Sequence, residues 1–195
     1  MDDKIKVGLI YGSTREGRFC DKVGQWAAGQ IADSGKFSLD VVDPAEPSLR
    51  TGREAERSSG DYRASASLRQ RIAEADAFVV VTPEYNHGYP APLKSLIDSI
   101  GIEWHAKPVA FVSYGGISGG LRAVEQLRQV FAELHAVTVR DSVSFAGPWN
   151  QFDALGKLLE PEQAQRSMTT LLKRLHWWGV ALRHARGTVP YTQTT

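Results

Sequence analysis

The chain has 195 residues, enough to bury one sizeable core and most simply read as one domain. Its 23 Lys and Arg nearly cancel its 22 Asp and Glu, which excludes a global field that would recruit nucleic acid or an acidic membrane surface. A single cysteine, Cys20, excludes an intramolecular disulfide and agrees with a reducing compartment, and no stretch approaches the roughly 20 apolar residues of a membrane span.

Only a few residues precede the first strand-like run, Ile5 to Tyr11, so no signal peptide is read and a cytoplasmic protein is expected. Gly12-Ser13-Thr14-Arg15-Glu16-Gly17-Arg18 follows as a loop, and Phe19, Val23, Trp26, Ala27 and Ile31 mark the apolar face of a first helix. Phe37 to Val42 is a second strand, set off by Ser34-Gly35. Residues 44–61 are polar and rich in Pro, Ser, Gly and Arg, a long excursion of the functional or mobile kind. Leu68 to Ala75 is helical and leads into Ala77-Phe78-Val79-Val80-Val81. That unbroken, mostly β-branched run suits a strand buried on both faces of a parallel sheet. Beyond Thr82-Pro83-Glu84-Tyr85-Asn86-His87-Gly88, a helix over 91–101 carries Leu93, Leu96, Ile97 and Ile100 on one face. Pro108 to Tyr114 is a fourth strand, Leu121, Val124, Leu127, Phe131 and Leu134 mark the next helix, and Val137 to Val143 is a fifth strand. A last helix over 161–185 places Met168, Leu171, Leu172, Leu175 and Leu182 together. Residues 1–188 read as the domain and 189–195 as a flexible tail. Trp104, Trp177 and Trp178 are assigned to core or subunit packing.

Strands alternating with helices predict an α/β fold, a parallel sheet covered on both faces. The pattern leaves a flavodoxin-like strand order, 2-1-3-4-5, and a dinucleotide-binding order both open. In either, ligands sit outside the carboxyl ends of the strands, where three loops carry chemistry. The first, 12–18, opens a helix whose free N–H groups and positive dipole end favour a phosphate, with Ser13, Thr14, Arg15 and Arg18 as further donors. Its spacing shares the skeleton of a nucleoside-triphosphate loop. However, Arg18 stands in place of lysine, Phe19 in place of the magnesium-binding hydroxyl, and no aspartate ends the third strand. The G-x-G-x-x-G fingerprint is absent as well, and what remains is a monophosphate cradle without a metal. The second loop, 82–88, offers a carboxylate, an aromatic, an amide and an imidazole, with His87 a candidate proton donor. The third, Ser113-Tyr114-Gly115-Gly116-Ile117-Ser118-Gly119-Gly120, is a glycine platform that a planar heterocycle can approach closely. Together the three describe a seat for flavin mononucleotide.

GSTREGR, TPEYNHGYPAPLKSLID and SYGGISGGLRAVEQLR resemble the NAD(P)H-dependent FMN reductase family, which is related to quinone, chromate and azo reductases. The match runs through most of the chain, and PEYN-x-G-x-PAPLK-x-x-ID is its specific signature. The resemblance implies a three-layer flavodoxin-like fold with strand order 2-1-3-4-5. It implies FMN as cofactor, NADPH or NADH as co-substrate, and a ping-pong cycle that reduces a flavin, quinone, azo or metal-oxyanion acceptor with no obligatory side-chain acid or base. In that frame Ser13, Thr14, Arg15, Arg18, Phe19 and Cys20 belong to the phosphate loop. Thr82, Pro83, Glu84, Tyr85 and Asn86 line the isoalloxazine, and Ser113, Tyr114, Gly115 and Gly116 lie along its other edge. A homodimer or homotetramer is implied, with the neighbouring subunit helping to wall the site. Many members have serine and asparagine where this chain has Arg18 and Cys20. Arg18 is expected to substitute as a phosphate donor, and Cys20, a weak donor, to pack. Arg50, Arg53 and Arg57 are either partners for an NADPH 2′-phosphate or a solvated surface. The alternative function is a non-enzymatic FMN electron carrier, a flavodoxin, although such carriers tend to be strongly acidic.

Overall fold

The computed structural model describes residues 4–46, 49 and 64–193. Its five apolar runs become the parallel strands β1 (Ile5–Tyr11), β2 (Phe37–Val42), β3 (Ala77–Pro83), β4 (Pro108–Gly115) and β5 (Val137–Ala146). They pair in the order β2-β1-β3-β4-β5. The flavodoxin-like order is therefore the one adopted.

Alternation along the strands explains why helices cover both faces. Val7, Leu9, Val79, Val81, Ala110 and Val112 pack into one core with α1 (Cys20–Asp33) and α5 (Glu162–Thr188). Ile10, Phe78, Val80, Val109 and Phe111 pack into the other with α2 (Ala66–Glu74), α3 (Ala91–Asp98) and α4 (Leu121–Glu133). Each strand residue of β3 and β4 is buried, as a parallel sheet clad on both sides requires. Tyr11 pairs with Val81, Thr82 with Ser113 and Pro83 with Tyr114, so the loops after β1, β3 and β4 leave the sheet at one level. Among the described residues no helix is long and apolar enough to cross a membrane.

Several boundaries differ from the sequence expectation. The apolar stripe that Ile100 continues in the sequence is cut at Asp98 in the structure, and a 3-10 turn, Ile102–Trp104, drops Trp104 into the core instead. β5 runs three residues further, to Ala146, and α5 three further, to Thr188. Trp177 and Trp178 lie outside the core, 63% and 36% exposed on α5, because Trp177 falls opposite Met168, Leu171 and Leu175 and Trp178 at the margin of that stripe. Their rings meet edge to face at 5.0 Å. Tyr191, in the stretch read as a tail, forms part of a 3-10 turn and hydrogen-bonds His135 Nδ1 at 3.0 Å. Arg50, Arg53 and Arg57 lie outside the described residues.

Candidate cofactor site

The first loop begins where β1 and β3 touch. Gly12 N–H donates to Val81 O at 2.8 Å, and a Cβ at Gly12 would stand 2.7 Å from that oxygen. Glycine is required there by the strand contact, before any ligand is considered. Ser13 is buried, with Oγ 2.9 Å from Tyr85 Oη, while Thr14, Arg15 and Glu16 are exposed. The Arg15 guanidinium stacks 3.6 Å from the Tyr85 ring centroid. Helix α1 starts at Cys20 with no side-chain cap from Phe19, so its first N–H groups have no intrahelical acceptor. This is the geometry that suits an anion at the helix end.

Arg18 has partners other than the phosphate expected of it. Its guanidinium forks onto Asp43, bonds Asp21 Oδ1 at 2.8 Å and donates to the Ser13 carbonyl. These carboxylates hold its pKa well above the ordinary arginine range. Cys20 is fully buried, its Sγ 3.8 Å from Val81 O, and burial pushes its thiol up. Phe19 packs edge-on against Phe152 with ring centroids 5.6 Å apart. Both residues serve the core beneath the loop.

In the second loop, Tyr85 and Gly88 exchange two backbone hydrogen bonds of 2.9 and 3.0 Å. Asn86 and His87 form the tip with φ of 49° and 70°, a tight turn whose two central residues are both left-handed. Glu84 has a side chain only 5% exposed. Its carboxylate accepts from Ser118 Oγ at 2.6 Å, Arg122 N at 3.1 Å and Arg122 Nε at 2.6 Å. Burial works to raise its pKa, but Ser118 and Arg122 outweigh that and hold it below the usual carboxylate range. Arg122 Nη1 also lies 2.8 Å from His87 Nε2. A guanidinium can only donate, so Nε2 accepts and has no proton to give in this arrangement. Thr82 is buried, its Oγ1 spent on Pro83 O at 2.9 Å.

The third loop is held from below. Ser113 Oγ and Ser144 Oγ both donate to Gly119 O, at 2.8 and 3.0 Å. Gly119 and Gly120 adopt φ of 61° and 86°, and a Cβ on Gly120 would sit 2.8 Å from Ser113 Cβ. Gly116 is exposed, has no positive φ, and a Cβ there would meet nothing within 4 Å. Tyr114 points into the core, where burial raises its phenol strongly, and its hydroxyl finds no partner of ordinary geometry among the described residues.

The structure thus gathers Ser13, Arg15, Glu84 and Tyr85 with the open backbone of Gly116 at the carboxyl end of the sheet. Cys20, Thr82 and Tyr114 sit beneath that surface. Asp43, Ser118 and Arg122 are partners the sequence reading missed. Only Arg122 left a trace, as the cation two residues beyond the glycine run.

Comparison with known proteins agrees with this geometry. The family model described as NADPH-dependent FMN reductase matches residues 5–150. The chain is 39% identical over 140 residues to an NAD(P)H-dependent FMN reductase of Saccharomyces cerevisiae, covering 65% of this chain and 73% of that one. It is 37% identical over 177 residues to an NADPH:quinone oxidoreductase of Arabidopsis thaliana, covering 86% and 89%. The flavoenzyme NAD(P)H:(acceptor) oxidoreductase FerB of Paracoccus denitrificans superposes with a TM-score of 0.68 at 20% identity, over 90% of this chain and 97% of that one. With its five-stranded sheet and its signature loops matched over most of their length, the chain belongs to the NADPH-dependent FMN reductase family.

Proposed function

We propose that the chain is a single-domain FMN-dependent oxidoreductase, cytoplasmic and homo-oligomeric. In this reading NAD(P)H reduces a small-molecule acceptor of the flavin, quinone, azo or metal-oxyanion class in a ping-pong cycle. The observation that carries it is the meeting of an uncapped helix end, the Tyr85 ring and an unhindered glycine backbone in one crevice. When bound, FMN would supply the redox chemistry, the capacity to accept a hydride from a nicotinamide and to reduce the acceptor.

The protein's own part is seating and electrostatics. The N–H groups of the first loop and Arg15 hold the phosphate. Pro83 to Asn86 flank one edge of the ring system, and the exposed backbone of Gly116 the other. The donor set fits an anionic cofactor, because the loop N–H groups and the exposed Arg15 can only donate and the buried Glu84 charge is cancelled by Arg122. Glu84 stays ionised and structural, and no side chain of the crevice is needed as acid or base. Ile117 and Trp149, 95% and 60% exposed beyond β4 and β5, offer apolar surface for a second copy to cover.

Titration of the purified apoprotein with FMN, followed by steady-state NADPH and NADH oxidation with a quinone, tests the reading. Arg15→Ala should raise the FMN Kd roughly tenfold or more, the scale of one charge-assisted hydrogen bond. A protein that binds FMN but does not oxidise either nicotinamide is a carrier. One that binds no flavin has another function.

A further inference from the structure

Arg18 is almost enclosed, with its side chain 9% exposed and that of Asp43 19%. A guanidinium has five N–H donors. Four are in hydrogen bonds, to Asp21 from Nε, to the Ser13 carbonyl and Asp43 from Nη1, and to Asp43 from Nη2. The fifth is also on Nη2, which lies 2.8 Å from Asp21 Oδ1. Two carboxylates surround one guanidinium, so the cluster is net negative and offers no attraction to a phosphate.

Its effect falls on the loop backbone instead. Arg18 draws the Ser13 carbonyl inward. A trans peptide is planar with C=O and N–H antiparallel, so the N–H of Thr14 is turned outward. Thr14 itself is exposed, and its N–H has no acceptor among the described residues. We infer that Asp43 and Arg18 form a strut that aims the Thr14 N–H at the cofactor phosphate, with Asp43 a positioning residue and Arg18 not a phosphate ligand. This rests on the reading of residues 12–18 as the phosphate loop.

The test compares FMN with riboflavin, which lacks the phosphate, by fluorescence titration of the apoprotein. Asp43→Asn is the main variant. It breaks the charged fork, yet its amide oxygen can still accept from Ala45 N, as Asp43 Oδ1 now does at 2.8 Å. The strut predicts that Asp43→Asn, Arg18→Ala and Arg18→Lys each weaken FMN binding roughly tenfold, leave riboflavin within about twofold, and do not add when combined. A direct ligand predicts the opposite for Asp43→Asn: Arg18, released from its fork, would bind FMN as well or better. That outcome, or retention of FMN affinity by Arg18→Lys, overturns the inference. Urea unfolding midpoints identify any variant that merely fails to fold, and Asp43→Asn alone then decides. A wild-type protein that does not prefer FMN over riboflavin instead removes the phosphate-loop reading, which the Arg15→Ala titration would show separately.

Discussion

Glu84 shows how a carboxylate can stand in a crevice meant for an anion. Its charge is cancelled by Arg122, which lies 38 residues further on, in the first turn of α4. Because Glu84 is 5% exposed, removing its partner should strand a buried charge, whereas removing both should not. Arg122→Met is expected to destabilise by about 1–2 kcal/mol, less than the roughly 3–5 for a fully enclosed pair, since Arg122 is 41% exposed. Adding Glu84→Gln should recover part of that loss in urea unfolding, and strictly additive losses would mean the two side chains act separately. The signature motif was enough to place Glu84 at the site. It could not supply Arg122, Ser118 or Asp43, since a hydrogen bond across a parallel sheet joins residues whose separation in the chain follows no period. Arg18 follows the same rule: its cationic type is visible in the sequence, and its partner Asp43 is not.

At the scale of elements, legibility follows burial. β1, β3 and β4 are apolar on both faces and could be read almost to the residue. The segment after β5 could not, for Phe152 and Leu158 are isolated apolar residues that plug the core beside a short bridge, without helical or strand period. The third loop makes a subtler point, since a glycine-rich run does not say which glycine is obligatory. Gly120 is, by its φ of 86° and the crowding of Ser113 and Tyr114, while Gly116 is free of both constraints. Gly120→Ala should therefore lower stability by about 1–3 kcal/mol whether or not cofactor is present. Gly116→Val should leave the apoprotein's thermal midpoint nearly unchanged and weaken FMN binding, because its side chain enters only the open side of the loop. Normal FMN affinity in Gly116→Val would move the flavin off this backbone.

On the scale of the whole molecule, the two ends of the sheet do different work. The carboxyl end leaves donors open for a ligand, whereas the amino end spends its charges on fastening helices. Asp76 accepts from Lys6 N and pairs with Arg183 and Arg186 of α5, and Lys107, just before β4, donates to Ile72 O and Ala73 O at 2.7 Å, closing the end of α2. Lys107 is 5% exposed, and burial, reinforced by Arg186, lowers its pKa from 10.5 to about 8. Between those two values the folded chain has released a proton that the unfolded chain still holds. Unfolding there takes up a proton, so this residue makes stability rise as pH climbs from about 8 toward 10.5, and below about 8 the folded protein bears the full burden of a buried cation. Lys107→Met keeps the length of the side chain and removes the titration. Its urea unfolding free energy, subtracted from that of the wild type at each pH, should show the wild type gaining ground steadily across that window. Cys20 and the tyrosines titrate in both proteins and cancel in the difference. Parallel curves would show that Lys107 keeps its ordinary affinity for the proton, with water or a carboxylate reaching it that the packing of α2 against β4 leaves no room for.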